Sequence, residues 1–253
     1  MIDLPEPKNW NDRTATIMLG LCLFGISAAV GAYWTVDRFL RNDCLTASIT
    51  LGGAVFACCF ALMAARAEFH QVELRANVDP TGTVLRPDPV AVWLIIIACV
   101  AAIPSGLLYV IFVPRGRVDL PLSRGEQIFS PILVGLLVVF AAGAVIAYVV
   151  RGPGHLKLTP HGFEVVELIT TRRGDWSDLS EITDHAPGKS AHQPIVLVFK
   201  QKTVIIQNAS GYVPGGAALY WMVRHYWLHP EDRLELTDER AIERLRTDDF
   251  TVE

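Results

Sequence analysis

The chain has 253 residues, 51% of them hydrophobic and only 19% charged, with a formal net charge of −4. Soluble globular chains carry about 25% charged residues, so an ordinary soluble protein is disfavoured from the outset. No basic run or face is visible, and a nucleic-acid binder would need one; the predicted partners therefore include no nucleic acid. The charge deficit is uneven. Residues 1–150 hold 10 Lys and Arg and 11 Asp and Glu, mostly between long apolar runs, whereas residues 151–253 hold 12 and 15. The turn residues Arg151-Gly152-Pro153-Gly154 mark the boundary. Three regions follow: an N-terminal segment 1–13, an apolar region 14–150 and a globular region 151–253.

Four stretches in the apolar region are long enough to span a bilayer: 14–36, 45–65, 90–113 and 128–150. Each has 21 to 24 residues and none contains Asp, Glu, Lys, Arg or His. At about 1.5 Å per residue each covers roughly 30 Å, the thickness of a hydrocarbon core. A soluble bundle would need a polar face on such helices. Interfacial anchors are expected at Trp10 and Arg13, Tyr33 and Trp34, Trp93, and Tyr148 and Arg151. The first run lacks the basic leader of a signal peptide, since Asp3, Glu6 and Asp12 precede it, and is read as a retained helix.

Four spans return both termini to one side. With the termini inside, seven Lys and Arg lie in the inner segments against five (Arg38, Arg41, Arg115, Arg117 and Arg124) in the outer loops. That count and the cysteine-free globular region predict a plasma (inner) membrane protein with both termini cytoplasmic. All five cysteines fall in or beside apolar runs, so no disulfide framework is expected.

Small residues at close or four-residue spacing let membrane helices approach each other. Ser27, Gly31, Gly52, Gly53 and Gly143 are the candidates here, either for packing within the bundle or for a partner interface. Pro104 should kink the third span. With no ionisable residue inside a span, a proton or charged-ion path has no carrier, which disfavours a stand-alone pump or transporter.

Residues 66–89 read as a connection. Its start, Ala67–Leu74, could extend the second helix, and Asp79-Pro80-Thr81-Gly82 reads as a turn. Beyond Gly154 the period changes to that of strands. Strands are predicted over 155–159, 163–169 and near 175–176, with a turn over Thr170–Gly174 and a short helical or bridging segment over 177–183. A hairpin over 195–199 and 204–207 turns at Gln201-Lys202. A helix spans Ala217–Leu228, stopped by Pro230, and Thr237 is placed as the N-cap of a last helix over 238–246. The predicted fold is a four-helix transmembrane bundle plus a C-terminal α+β domain, an antiparallel sheet with a C-terminal helix.

The strings Leu156-Lys157-Leu158-Thr159-Pro160-His161-Gly162-Phe163 and Arg172-Arg173-Gly174-Asp175-Trp176-Ser177-Asp178-Leu179-Ser180-Glu181-Ile182 resemble the opening of bacterial PH-like domains. The resemblance covers about residues 152–228. Four spans before such a domain, and the ending His225-Tyr226-Trp227-Leu228-His229-Pro230-Glu231-Asp232-Arg233, resemble actinobacterial multi-pass PH-like proteins. Among these the chain looks most like the lipid-uptake coordinator accessory subunits of Mce lipid importers. The resemblance implies a protein-contact platform and places Trp176 in the domain core with Leu179 and Ile182.

Phosphoinositide-binding PH domains carry a basic cluster around the first hairpin. Here that turn is Thr159-Pro160-His161-Gly162, and only Arg172 and Arg173 in the next turn could contact anionic lipid. His225 and His229 have a zinc-compatible spacing, but no third ligand follows, so no metal is predicted. Pro214-Gly215-Gly216 precedes a helix that could hold an anion and reads more simply as a helix-entry turn. Cys58-Cys59 reads as packing. Serine-hydrolase and phosphate-loop motifs are missing.

The sequence thus predicts a non-catalytic membrane accessory subunit, without cofactor, that stabilises a larger membrane complex, with a lipid or fatty-acid import system as its particular form. Its partners would be membrane lipids and proteins of that complex. Two alternatives remain: an anionic-lipid sensor acting through Arg172 and Arg173, and a stand-alone enzyme or transporter using Arg115, Arg117, Asp119, Arg124 and Glu126.

Overall fold

A computed structural model describes residues 4–8, 10, 14–69, 72–167, 170–185, 193–200, 203–250 and 252. The chain builds two compact units and alternates between them. The helix unit takes 14–70 and 90–152; the sheet unit takes 1–13, 71–89 and 153–253. Arg13, His70, Gln71, Gln201 and Lys202, which the sequence reading used as an anchor, part of a helix extension and a hairpin turn, lie outside the described residues, as do Leu168 and Ile169; residues 72–74 are not helical, so the extension does not reach Leu74.

In the helix unit, α1 (Thr14–Leu40), α2 (Cys44–Phe69), α3 (Pro89–Phe112) and α4 (Arg124–Arg151) are all long and apolar enough to cross a membrane. The link between α1 and α2 has only three residues, with Asn42 at φ 60. Asp43 accepts the Thr46 amide at 3.1 Å and so satisfies one free donor at the start of α2. Contacts between α1 and α2 run in opposite directions along the two helices. Phe24 stacks on Phe60 at 5.3 Å, Gly31 faces Ala54, and the Thr35 hydroxyl meets Thr50 Oγ1 at 3.0 Å. Between α3 and α4, Tyr109 and Ser130 share a 2.7 Å hydrogen bond, and Trp93 meets the edge of Tyr148 at 6.1 Å. Pro104 lies inside a continuous α3, and the neighbouring Ser105 hydroxyl donates to the Ala101 carbonyl at 2.7 Å.

In the sheet unit, β1 (Ala76–Asp79) and β2 (Gly82–Leu85) form a hairpin around Pro80-Thr81. It comes from the connection between α2 and α3, where the sequence reading placed a turn but no strands. β2 pairs antiparallel with β3 (His155–Leu158), Leu85 opposite Leu156. The sheet continues through β4 (Gly162–Val166) to β5 (Thr171–Asp175), all antiparallel, in the order β1-β2-β3-β4-β5. A single 3₁₀ turn, Trp176–Asp178, carries the chain to a second sheet of β6 (Leu179–Thr183), β7 (Ile195–Phe199) and β8 (Thr203–Ile206). The globular region is therefore not confined to 151–253: two of the five strands in its larger sheet precede α3.

α5 (Ala217–Leu228) contributes Leu219, Met222 and Tyr226 to one apolar core shared with Leu85, Leu156, Leu158, Ile195, Leu197 and Ile206 of both sheets. Its last carbonyls are capped by Arg233, whose guanidinium donates to Tyr226 O at 2.7 Å and Trp227 O at 3.1 Å, as cations at helix C-termini do. A 3₁₀ segment over Pro230–Thr237 leads to α6 (Arg240–Thr247). Thr237 is not its N-cap. The Thr237 hydroxyl turns back to the Leu234 carbonyl at 2.8 Å, and Asp238 accepts the Arg240 amide instead.

Trp10 corrects another expectation. Instead of acting as an interfacial anchor, it donates its indole N–H to Pro194 O at 3.2 Å and meets the edge of Tyr220 at 6.3 Å. Trp221 in turn donates to Pro5 O at 2.9 Å, and Leu4 is buried. The N-terminal segment is thus part of the sheet unit.

Candidate functional site

The five small residues predicted to line helix contacts divide by environment. A Cβ at Gly31 would lie 3.0 Å from Ala54 Cβ, and one at Gly52 would overlap the Ser105 side chain. Those two glycines set the α1–α2 and α2–α3 approach. Gly53 and Gly143 face open space, and Ser27 is exposed with its hydroxyl returned to the Leu23 carbonyl at 2.8 Å. The predicted interface is therefore not one surface: part of it is consumed inside the bundle and part is left outward. Sequence spacing alone cannot separate the two, because neighbouring glycines such as 52 and 53 point about 100° apart on a helix.

At the end of the helix unit formed by the connections 41–43 and 113–123, Arg38 is buried although the sequence reading counted it as a loop cation. Its guanidinium pairs with Asp119 and lies 4.8 Å over the Trp34 ring. The Asp119 amide meets Thr46 Oγ1 at 3.3 Å. Asp119, offered above as part of a reactive loop set, is thus a tie between the α3–α4 connection and α1 and α2. Glu126 is likewise committed, closing a capping box with Ser123 at the start of α4.

Arg172 and Arg173 stand in strand β5 and not in a turn, because cross-strand pairing with Val165 and Glu164 extends that segment. Arg173 reaches Glu164 at 2.6 Å. Arg172 donates to the Ile205 carbonyl at 3.1 Å and lies 3.6 Å from Glu167, bridging the two sheets. Both charges already have carboxylate neighbours. Trp176 is 2% exposed, with its indole N–H donating to the Thr159 carbonyl at 2.8 Å; Leu179 and Ile182 are buried with it.

Sequence reasoning missed a buried polar network at the C-terminal end of α5. His225 is buried, with Nε2 3.0 Å from Asp232, Nδ1 unpartnered, and its ring 4.6 Å from that of His229. Arg244 of α6 pairs with the buried Glu235 at 2.8 Å and approaches Asp232 at 3.6 Å. Tyr226 donates to Glu235 at 3.2 Å. Burial, and then the Arg244 cation, hold the His225 pKa below its ordinary value; burial, and then Glu235, raise that of Tyr226. The His225-His229 spacing serves this network, and no group of three metal-binding side chains occurs among the described residues. The signal available in the sequence was the cluster of charges Glu231-Asp232-Arg233 just after the helix.

Gly215 and Gly216 both have positive φ at the entry to α5, 67 and 77, which explains the Pro-Gly-Gly string as a tight turn. The chain matches no protein-family model, no curated protein and no solved structure.

Proposed function

We propose that this chain is a non-catalytic integral membrane subunit that binds and stabilises a larger membrane complex. The observation that carries the reading is the outward surface of the bundle. Ser27, Gly53 and Gly143 on three different helices remain open after Gly31 and Gly52 have been used internally. In α1 the sole buried residue is Arg38, at its far end. Such faces allow close approach by helices of another chain. The sheet unit supports the same reading, because its two candidate lipid-binding arginines are engaged by Glu164 and Glu167. That pairing weighs against the lipid-sensor alternative.

In its particular form, the reading makes the sheet unit a PH-like platform and the complex a lipid or fatty-acid importer. Two antiparallel sheets around a core closed by α5 are compatible with a PH-like fold. The importer rests on the resemblance of the Trp176 and His225–Arg233 strings to lipid-uptake coordinator accessory subunits. The membrane is proposed to be the inner membrane, with both termini cytoplasmic. The pairing of β2 with β3 supports the shared side, because segments before α3 and after α4 meet in one sheet.

Co-purification from native membranes in mild detergent tests the function. The same partner proteins should be recovered with the wild type and depleted by Gly53→Leu or Gly143→Leu. Recovery of the wild type as a lone monomer would sink the proposal. Cys44, exposed at the start of α2, tests the topology. It should react with a membrane-impermeant maleimide added to intact spheroplasts, and protection there with labelling only after lysis would reverse the orientation.

A further inference from the structure

β1 is the outermost strand of the five-stranded sheet. In an antiparallel pair, residues that exchange backbone hydrogen bonds with the neighbouring strand alternate with residues whose amide and carbonyl point away from it. The Arg86 amide donates to the Arg75 carbonyl at 2.9 Å. With Asn77 opposite Val84 and Asp79 opposite Gly82, the bonds to β2 fall to Arg75, Asn77 and Asp79. The amides and carbonyls of Ala76 and Val78 therefore point out of the sheet edge, and they have no hydrogen-bond partner among the described residues. A row of this kind is a template for another strand.

The edge borders a built cleft. Ala76 and Val78 line one side of a space of about 630 Å3, and α6 lines the other through Glu239, Glu243 and Arg246. α6 is held in place by Ala241 and Leu245 in the core and by the Arg244–Glu235 pair at 2.8 Å. A helix spends its backbone groups on its own hydrogen bonds, so α6 flanks the strand edge without satisfying it. Arg240, on the same wall, is engaged by Asp238 at 2.7 Å. Glu239, Glu243 and Arg246 are exposed and have no ion-pair partner among the described residues.

We infer that this cleft receives an extended segment of a partner subunit, which adds to β1 as a further strand and carries basic side chains at two alternate positions. The inference rests on the reading of the chain as a subunit of a complex and names a surface through which it binds. Backbone pairing with Ala76 and Val78 seats the segment, as strand addition at a sheet edge does. The α6 wall sets its charge. Glu239 and Glu243 are four residues apart, about 6 Å along the helix, and alternate side chains of a strand stand about 6.6 Å apart. Lys or Arg two residues apart in the segment therefore meets both carboxylates, and Arg246 ends the basic pattern. A second copy of this chain lacks the complement, because β1 itself reads Ala-Asn-Val-Asp, with no basic residue.

The test uses the full chain in a neutral detergent and a fluorescein-labelled peptide, Thr-Val-Lys-Val-Lys-Val-Thr, blocked at both ends and read by anisotropy. It should bind saturably, and a peptide with Gln for both Lys should bind about five-fold more weakly, the effect of two exposed ion pairs. Hydrogen exchange over residues 74–80 should slow when the Lys peptide is bound. Glu239→Lys with Glu243→Lys should weaken the Lys peptide and strengthen one with Glu at both positions, a reversal that a merely structural role for the carboxylates would not give. Val78→Pro removes an outward amide that β2 does not use and should abolish binding; the charge swap keeps the test independent of any disturbance of the hairpin. Absence of saturable binding overturns the inference, and so does an unreversed preference in the charge-swapped variant. Self-association of the wild type that protects residues 74–80 and is lost in Val78→Pro would give the edge to a second copy and also overturn it. Failed peptide binding while partners still co-purify sinks the cleft alone, whereas recovery as a lone monomer with peptide binding intact supports the cleft and sinks the subunit reading.

Discussion

Replacing Trp176 by alanine should unfold the sheet unit while leaving the helix unit intact. The side chain is 2% exposed and sits at the point where the chain passes from one sheet to the other. Its ring packs against Phe163 at 5.9 Å and lies under the Arg233 guanidinium at 5.6 Å. Truncating a buried aromatic to alanine costs about 3–5 kcal/mol. The Thr159 carbonyl, which accepts the indole N–H at 2.8 Å, loses that partner for about 1 kcal/mol more. Arg233 also caps α5, so a loosened ring should weaken that helix end as well. A domain has about 5–15 kcal/mol in total, so the loss takes much of the margin. Hydrogen exchange on the full chain in detergent reads the two units separately. Peptides from β3 to α5 should lose most of their protection, while α1 to α4 keep theirs. Trp176→Phe retains most of the packing and should fall between the alanine variant and the wild type. Wild-type protection in the alanine variant would refute the core assignment and place the ring at an interface.

Three further outcomes follow from the same structure. A fragment of residues 152–253 should give no cooperative melting transition, because it lacks β1, β2 and Leu85 of the core; a sharp transition like that of the intact unit would show the hairpin to be dispensable. Gly52→Ala should lower the thermal stability of the bundle in detergent by about 1–3 kcal/mol through overpacking against Ser105, whereas Gly53→Ala and Gly143→Ala should change it little; equal effects at all three would contradict the helix contacts. Folded His225 binds its proton less readily than in the unfolded chain, so stability should be level above about pH 6.5 and decline as pH falls from there toward the lowered folded pKa. The titratable groups around its ring are Asp232 from the 3₁₀ segment, Arg244 from α6, Tyr226 from its own helix and His229 just beyond that helix. The decline can reach about 1.4 kcal/mol per pH unit. Melting scans of the wild type and His225→Gln check it, and an undiminished slope in the variant assigns the effect elsewhere.

The four helices were legible because an uncharged run of more than twenty residues has few alternatives, and α5 because its apolar spacing ends at a proline. The hairpin β1–β2 was not. Each strand has four residues, too few for an alternation to stand out, and the Asp79-Pro80-Thr81-Gly82 turn looks the same in a loop and in a hairpin. What makes it a hairpin is distant: Lys157 on β3 reaches Asp79 and Thr81, both at 2.6 Å, and holds the Asp79 carboxyl well below its ordinary pKa. The role of Trp10 was hidden for the same reason, since its partners Pro194 and Tyr220 lie far along the chain. The buried Arg38 was misread because its helix runs four residues past the last apolar residue of the predicted span, Val36. Of the small residues, the sequence identified the type but not the direction, which depends on where each neighbouring helix lies.

The hairpin also makes the larger sheet a record of how the chain was threaded. β2 is synthesised before α3 and β3 after α4, and a bilayer cannot be crossed by a hydrogen-bonded strand pair. If α3 and α4 insert as a pair, both strands emerge on one side and Leu85 can meet Leu156. If either helix fails to insert, or the pair is split, the two strands are stranded on opposite faces. β3 is then left as a bare edge, the kind of surface that aggregates or attracts proteases. Completion of the sheet therefore depends on α3 and α4 entering the bilayer as a pair, and a chain threaded otherwise would expose the unpaired edge of β3.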